Sequence, residues 1–288
     1  MNKIKLTAGV FAATMCLATG CRQKGEEPSV PVTVEEIQHP MADLSEIHLD
    51  SVTVDTTWAL SDEYRSETMG DEDAVPGLKC VVDVPSASQA PLLANAVMEW
   101  INEICMSGTY DGDLMDVKAM VVDAINNQKK DSGGICSDSY REFNIRKVYE
   151  NAALITFVYS GYDYAFGAAH GSPYCVGATF RKTDGKIFGW NMFRQNADLQ
   201  PFLKEGLKKY FEVSTDDELS ESLMMDALYS VEYLPKAINN PWVNKDGIVM
   251  QYQAYEIACY AAGQPYVVIP VDKVDNLLTT TASKLIRQ

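Results

Sequence analysis

His170 is the first candidate for a catalytic base in this sequence. It lies in the stretch YDYAFGAAHGSPY, Tyr162–Tyr174, and no other histidine follows His48. A hydrolytic triad needs a nucleophile and an orienting acid beside such a base. The nearest nucleophile, Cys175, is five residues away on what reads as the same strand, where an odd separation places two side chains on opposite faces. Catalysis by His170 is therefore the weaker of two interpretations.

The stronger interpretation of His170 is structural, because small residues surround it. Glycine and alanine let a backbone approach a neighbouring strand closely, and an imidazole ring can then hydrogen-bond to buried carbonyl groups. We expect this arrangement for the segment that contains Gly167, Ala168, Ala169, His170 and Gly171.

Glu256 is the second candidate, because it stands among tyrosines in YQAYEIACYAAG, next to Tyr255 and near Tyr260. A carboxylate in such surroundings is paired or has a raised pKa. Glu256 could serve a hydrolase, but hydrogen bonds to tyrosine hydroxyls or backbone N–H groups are the favoured expectation. Tyrosines such as Tyr164, Tyr255 and Tyr260 suit the recognition of a protein or a glycan, and they suit a sheet core equally well.

Motifs for metals, cofactors and common nucleophiles do not occur in the chain. It contains no H-E-x-x-H, no G-x-S-x-G and no glycine-rich phosphate loop ending in Gly-Lys-Ser/Thr. We therefore predict no metal, no cofactor and no catalytic residue. Five cysteines follow Cys21 without C-x-x-C spacing, and since five is odd, at least one thiol has no partner among them. Their pairing stays open, and buried free thiols are expected for most of Cys80, Cys105, Cys136, Cys175 and Cys259.

Residues 1–20 have the pattern of a bacterial lipoprotein signal peptide. Lys3 and Lys5 precede an apolar run that is too short to span a bilayer permanently, and small residues lead to Cys21. We expect cleavage before Cys21 and acyl chains such as palmitate on that cysteine; ordinary secretion with a free Cys21 is the alternative. Residues 21–50 contain three prolines and read as a tether. The protein is thus expected in the bacterial cell envelope, at a periplasmic or outer-membrane surface, with only its lipid in the membrane.

The charge of the chain narrows the range of partners. The net charge is −16, and removal of residues 1–20 takes away two lysines and no acid, which leaves −18. Such a protein repels phosphate backbones, so a nucleic acid is an unsuitable partner. A cationic protein would be attracted and its arrival accelerated. Acidity that serves only solubility is the alternative.

The hydrophobic pattern predicts an α+β fold with a mostly antiparallel sheet packed by helices. Apolar residues recur at helical spacing from residue 91 to 104, from 113 to 126 and from 271 to 286, and near 202–211 and 215–228. Strands are expected at 78–84, 140–150, 152–162, 172–181, 185–190, 246–253 and 264–270. Runs of strands without strict β-α alternation favour this fold class. The domain is placed at residues 51–288, and two subdomains, 51–135 and 136–288, are left open.

Two long segments resemble one family of extracytoplasmic domains. They are YDYAFGAAHGSPYCVGATFRKTDGKIFGWNMF, which begins at Tyr162, and GIVMQYQAYEIACYAAGQPYVVIPVDKV, which begins at Gly247. The family is a domain of unknown function found in RsiV-type lysozyme-sensing anti-sigma factors, in the N-terminal regions of peptidoglycan deacetylases and alone in bacterial lipoproteins. Ala168 replaces the family's second glycine, and Cys259 stands where proline is usual. The resemblance covers about residues 75–285 and implies an α+β fold.

The resemblance and the charge together predict a non-enzymatic binding or sensing protein. Its ligand is expected to be a cationic protein such as a lysozyme, or a glycan of the peptidoglycan cell wall. Two alternatives from other classes remain at this point. One is a cell-wall hydrolase that uses His170 or Glu256, and the other is a purely architectural lipoprotein.

Overall fold

The predicted α+β class is confirmed by a computed structural model, which describes residues 43–60, 75–130, 139–224 and 231–288. All of these belong to one compact unit, residues 42–288. The signal peptide, Cys21, most of the tether and Cys136 lie outside the described residues. Within the described residues no helix is both long enough and apolar enough to cross a membrane.

Nine strands and six α-helices follow one another along the described chain, with three short 3₁₀ turns between some of them. The elements are, in order, β1 (Leu49–Thr57), β2 (Gly77–Pro85), α1 (Pro91–Met106), α2 (Val117–Lys130), β3 (Ser139–Glu150), β4 (Leu154–Ala165), β5 (Ser172–Arg181), β6 (Ile187–Phe188), α3 (Gln200–Phe211), α4 (Asp216–Ser222), β7 (Trp242–Asn244), β8 (Gly247–Gln251), β9 (Tyr266–Ile269), α5 (Val271–Val274) and α6 (Thr280–Ile286).

The first six strands form one sheet in the order β1-β2-β3-β4-β5-β6. All neighbours are antiparallel except β2 and β3, which run parallel and are joined over α1 and α2. This fits the rule that a parallel pair needs a long crossover, whereas antiparallel neighbours can be joined by tight turns. The hairpin between β5 and β6 turns at Gly185, whose φ of +69° a glycine adopts easily.

Helices α1 and α2 cover one face of this sheet. Leu93, Val97 and Trp100 of α1 are buried against strand residues such as Phe157 and Phe180. The Trp100 and Phe180 rings meet edge to face with centroids 5.9 Å apart. Each such buried side chain contributes on the order of 1.5–3 kcal/mol through the hydrophobic effect.

A second sheet, in the order β7-β8-β9, packs near the opposite face. Trp242 of β7 lies directly over Gly177 of β5, where a Cβ would come within 2.3 Å of the indole ring. Only a glycine allows this approach. A second apolar core joins the small sheet to α3 and the C-terminal helices through residues such as Leu203, Leu207 and Val267.

The predicted boundary of the domain at residue 51 is wrong, because the folded part already includes residues 44–50. Ile47 is buried in the first core, and β1 begins at Leu49. The two proposed subdomains, 51–135 and 136–288, do not form either. Strand β2 pairs with β3 across that division, so one sheet contains residues from both sides.

Two helix boundaries differ from the prediction, one because of a local cap and one because of a tertiary contact. Helix α2 begins at Val117, four residues late, because Asp116 accepts a hydrogen bond from the Ala119 N–H and so caps it. The predicted final helix 271–286 is interrupted. Leu278 is extended there and forms a bridge with Phe193, while Thr279 caps α6.

Candidate functional site

The connection between β4 and β5 carries His170 in a tight surface turn. Gly167 has a φ of +83°, and the Ala168 N–H donates to the Ala165 carbonyl at 3.0 Å. Gly167, Ala168 and Ala169 are exposed, so the expected close backbone approach does not occur at these three residues. The turn also places His170 before β5, which corrects its expected position on one strand with Cys175.

Gly171 is the residue of this turn that a side chain could not replace. A Cβ there would lie 2.2 Å from the Tyr162 ring and 2.7 Å from the Asp163 carbonyl oxygen of β4. The Gly171 N–H donates to the Tyr162 hydroxyl at 3.2 Å. Gly171 therefore leaves room for the Tyr162 ring next to the turn that carries His170.

The His170 imidazole lies at the surface and contacts two tyrosines. Its ring stacks on Tyr260 with a centroid distance of 3.8 Å and an interplanar angle of 19°. Nε2 lies 3.2 Å from the Tyr255 hydroxyl, and Nδ1 lies 2.9 Å from the Gly171 carbonyl oxygen. The expected role as a buried brace is therefore wrong in one respect, because the ring contacts tyrosines on the outside of the molecule.

Tyr255 and Glu256 lie in the loop between β8 and β9. Tyr255 has a φ of +67° and is 53% exposed. The Glu256 carboxylate accepts hydrogen bonds from two backbone N–H groups, those of Ile238 at 2.7 Å and Gln253 at 2.8 Å. The second half of the expectation for Glu256, a carboxylate bonded to backbone N–H groups, matches this geometry. These bonds shape the loop that presents Tyr255.

Gln253 fastens this loop to the edge of β5. Its amide donates to the Cys175 carbonyl oxygen at 2.8 Å and accepts from the Cys175 N–H at 3.3 Å. The side chain thus replaces a neighbouring strand at this point of the edge, beyond the short pairing with β6. Gln264 donates to the same Gln253 oxygen at 2.9 Å. Nothing in the residue pattern around Gln253 indicated this role.

The two segments that are distant in sequence consequently form one aromatic surface, made of Tyr162, His170, Tyr255 and Tyr260. Tyr162 is 41% exposed, although the strand pattern could have buried it. Ile238 is 81% exposed, and its backbone N–H donates to the carboxylate of Glu256, the residue next to Tyr255. Ile238 is therefore a neighbour of this surface. Sequence reasoning missed Ile238, because a single apolar residue in a polar loop carries no periodic signal. Tyr164 lies next to the surface turn, where its hydroxyl donates to the Ala168 carbonyl at 3.3 Å.

The four thiols described by the structure are unpaired, and three of them are buried in a way that disfavours nucleophilic attack. Cys80, Cys105, Cys175 and Cys259 are free. Burial raises the pKa of Cys80 and of Cys175 to about 11 and that of Cys105 to about 12. Because the thiolate is the nucleophile, these three remain protonated near neutral pH. Among the described residues, no three His, Cys, Asp or Glu side chains are arranged to hold a metal ion.

Fold and surface together define an α+β domain that presents an exposed cluster of stacked aromatic rings. Residues 191–272 match the family described as "Protein of unknown function (DUF3298)", which confirms the resemblance seen in the sequence. The matched segment contains Tyr255, Glu256 and Tyr260, whereas His170 precedes it.

Two solved structures have the same fold. A DUF3298 family member from Bacteroides fragilis is 17% identical and has a TM-score of 0.63, with 85% of this chain and 100% of that chain covered. A DUF3298 family protein from Pseudomonas aeruginosa PAO1 is 12% identical with a TM-score of 0.57, and 83% and 98% are covered. Among curated proteins, none matches this chain.

Proposed function

We propose that this protein is a non-enzymatic binding or sensing module of the bacterial cell envelope. In this proposal Cys21 carries the lipid anchor, and the aromatic surface docks a cationic protein such as a lysozyme. The signal-peptide pattern before Cys21 supports the anchor. Fractionation of cells that express Cys21→Ser tests that part, and a variant that stays in the membrane fraction contradicts it.

The observation that carries the proposal is the exposure of the aromatic surface. Tyr255 is 53% exposed and Tyr162 is 41% exposed, with Ile238 at 81% beside them. Rings that are held by stacking and hydrogen bonds lose little conformational freedom on binding, which is why tyrosine dominates many recognition surfaces. An interface needs such rigid, partly apolar anchors.

The charge supports a cationic partner over a neutral one. A net charge of −18 after removal of the signal peptide attracts positive proteins over about a Debye length, roughly 10 Å at 0.1 M salt. The faces of tyrosine rings also attract lysine and arginine side chains, with a contribution of about 0.5–1 kcal/mol each at exposed sites. Long-range attraction would bring the partner close, and ring contacts would retain it.

The test uses hen egg-white lysozyme as a cationic probe in a surface-binding assay over a salt titration. We expect saturable binding at low salt that weakens steeply as salt rises, and a loss of affinity of at least about tenfold for Tyr255→Ala. The matched control is Tyr174→Ala. Tyr174 is 43% exposed but pairs with Gly161, so strand alternation places it on the opposite face from Tyr162.

Three outcomes would contradict the proposal. The first is no lysozyme binding at low salt, and the second is equal losses for Tyr255→Ala and Tyr174→Ala. The third outcome concerns the hydrolase alternative and is measured in a turnover assay with purified peptidoglycan as substrate. Turnover by the wild type that His170→Ala abolishes, without a change in melting temperature, would make the protein an enzyme.

A further inference from the structure

A cleft of about 540 Å³ lies at the open end of the first core, away from the aromatic loop of residues 252–263. Its walls come from the C-terminal end of α1, from α2 and from the paired ends of β3 and β4. Ligand sites in proteins commonly have volumes of about 300–1,000 Å³ and combine apolar walls with a few fixed polar groups. The cleft has both features.

An ion pair across two strands forms the polar part of the cleft. Arg141 of β3 is the direct cross-strand partner of Asp163 of β4. The guanidinium donates to both carboxylate oxygens, from Nε at 2.7 Å and from Nη2 at 2.8 Å. Their side chains are 30% and 28% exposed, and both residues line the cleft. Pairing through Nε and Nη2 turns the Nη1 edge of Arg141 away from the carboxylate.

Comparison with a second ion pair of the same sheet shows how Asp163 differs. Asp83, the partner of Arg146, also accepts from the Ser51 hydroxyl at 2.7 Å and from the Lys147 N–H at 3.2 Å. The Asp83 side chain is 12% exposed, and its carboxylate accepts hydrogen bonds from three groups of the protein. Among the described residues, the Asp163 side chain accepts hydrogen bonds only from Arg141, one on each carboxylate oxygen. A carboxylate has about four lone-pair positions, so Asp163 retains acceptor capacity toward the cleft.

The remaining walls are apolar or uncharged. Met106 and Ala124 supply apolar surface, and Asn127 with Thr109 supplies an amide and a hydroxyl. Arg141 and Asp163 neutralise each other, and the other described residues that line the cleft are uncharged. Such a site suits a neutral ligand with many hydroxyl groups, because adjacent hydroxyls can donate to a carboxylate and accept from a guanidinium. A sugar ring also has an apolar C–H face for Met106 and Ala124.

We infer that this cleft is a binding site for a neutral saccharide, with Arg141 and Asp163 reading adjacent hydroxyl groups. The site is separate from the aromatic surface and does not depend on the function proposed for it. The overall negative charge of the protein disfavours an acidic sugar in the same place.

The test is calorimetric titration with two neutral trisaccharides, triacetylchitotriose and maltotriose, and with glucuronic acid as the acidic probe. We expect 1:1 saturable binding of at least one trisaccharide and none of glucuronic acid. Asp163→Asn should weaken binding at least tenfold, and Asn127→Trp should do the same by filling the cleft while it leaves the ion pair intact. Asp83→Asn, which alters the other ion pair, should change the affinity less than twofold.

Thermal melts followed by circular dichroism establish whether each variant folds. If Asp163→Asn does not fold, Asn127→Trp is the variant that tests the cleft. The inference is overturned if neither trisaccharide binds saturably. It is also overturned if the Asn127→Trp variant still binds the trisaccharide. Tyr255→Ala should leave saccharide affinity unchanged. A loss in that variant would place the sugar on the aromatic surface and overturn the cleft assignment, whereas failure of lysozyme binding leaves the cleft result intact.

Discussion

Lys182 is a lysine that is buried inside the domain and not exposed at the surface, where lysines usually lie. Its side chain has no exposed area, and its ammonium group contacts the Glu150 carboxylate at 2.6 Å. The same group donates to the carbonyl oxygens of Leu44 and Ser45 at 2.9 and 3.0 Å. A buried ammonium needs such a full set of acceptors, because an unpaired one is strongly disfavoured. Lys182 therefore fixes the segment that enters the domain.

Lys182→Met should lower the free energy of unfolding by about 3–5 kcal/mol, the usual cost of removing one partner of a buried ion pair. The change leaves two carbonyl groups and part of Glu150 without a donor. Chemical denaturation measures it. The control is Lys204→Met, whose pair with Asp216 is exposed at the surface. That variant should lose at most about 1 kcal/mol, and equal losses in the two variants would contradict the assigned role of Lys182.

His170 illustrates what can and cannot be inferred about a residue from its neighbours in sequence. Its environment of glycine and alanine indicated a tight backbone segment, and the turn with Gly167 and Gly171 agrees with that indication. The direction of the ring was not predictable. It depends on Tyr255 and Tyr260, which lie more than eighty residues further along the chain.

At the scale of elements, glutamine side chains hold irregular segments in place. Gln253 binds the N–H and the carbonyl of Cys175, and Gln200 binds those of Leu234 in the same way. Gln89 donates to the Asp43 and Glu46 carbonyls. An amide can act so because it carries both a donor and an acceptor, as a peptide group does. Loops that have no strand partner are thereby held in a defined position.

Gln253→Ala should release the aromatic loop locally. The Cys175 amide loses its acceptor, so we expect its hydrogen exchange under native conditions to accelerate at least about tenfold. Global stability should fall by about 1–3 kcal/mol, the net contribution of two or three hydrogen bonds. Lysozyme binding at the aromatic surface should weaken as well.

Gln200→Ala is the matched control for this change, because it removes an equivalent pair of bonds at Leu234. In the Gln200→Ala variant, the hydrogen of the Cys175 amide should exchange at the wild-type rate. If both variants accelerate exchange at Cys175 equally, the amide is not protected by Gln253 and the proposed link between the two segments is wrong.

At the scale of the whole molecule, acidic groups determine how stability depends on pH. Burial alone would raise the pKa of Glu150, but hydrogen bonds from Lys147, Lys182 and the Ile47 N–H outweigh it, so the pKa lies below its ordinary value of 4.5. The hydrogen bond from Arg181 lowers the pKa of Asp184 from 3.8 to about 2. Groups with a lowered pKa stabilise the folded state above their unfolded pKa, and this contribution is lost as pH falls through the folded pKa.

Thermal stability should therefore decrease as pH falls from about 4.5 to about 2, below the isoelectric point near 4.6. Melting temperatures measured across pH 2–7 test this. Glu150→Gln should start from a lower melting temperature at pH 7 and lose less on acidification than the wild type. A melting temperature at pH 2 equal to that at pH 6 would contradict the prediction.

The sequence by itself determined the α+β class, most strands and the main helices, because hydrophobic periodicity and turn residues act locally. Helix α4 begins at Asp216, beside the predicted start at residue 215, and β5 and β6 lie within the strands predicted at 172–181 and 185–190. The resemblance to a family also followed from residues alone.

Tertiary structure decided where elements end and what the candidate residues contact. The helix predicted at 271–286 breaks because Leu278 gains a partner in Phe193, and residues 44–50 join the domain because Lys182 and Gln89 bind their carbonyls. The aromatic surface and the cleft both depend on side chains brought together from distant segments. Local patterns carry no record of such pairings, since the free energy that selects them arises only when the chain is packed.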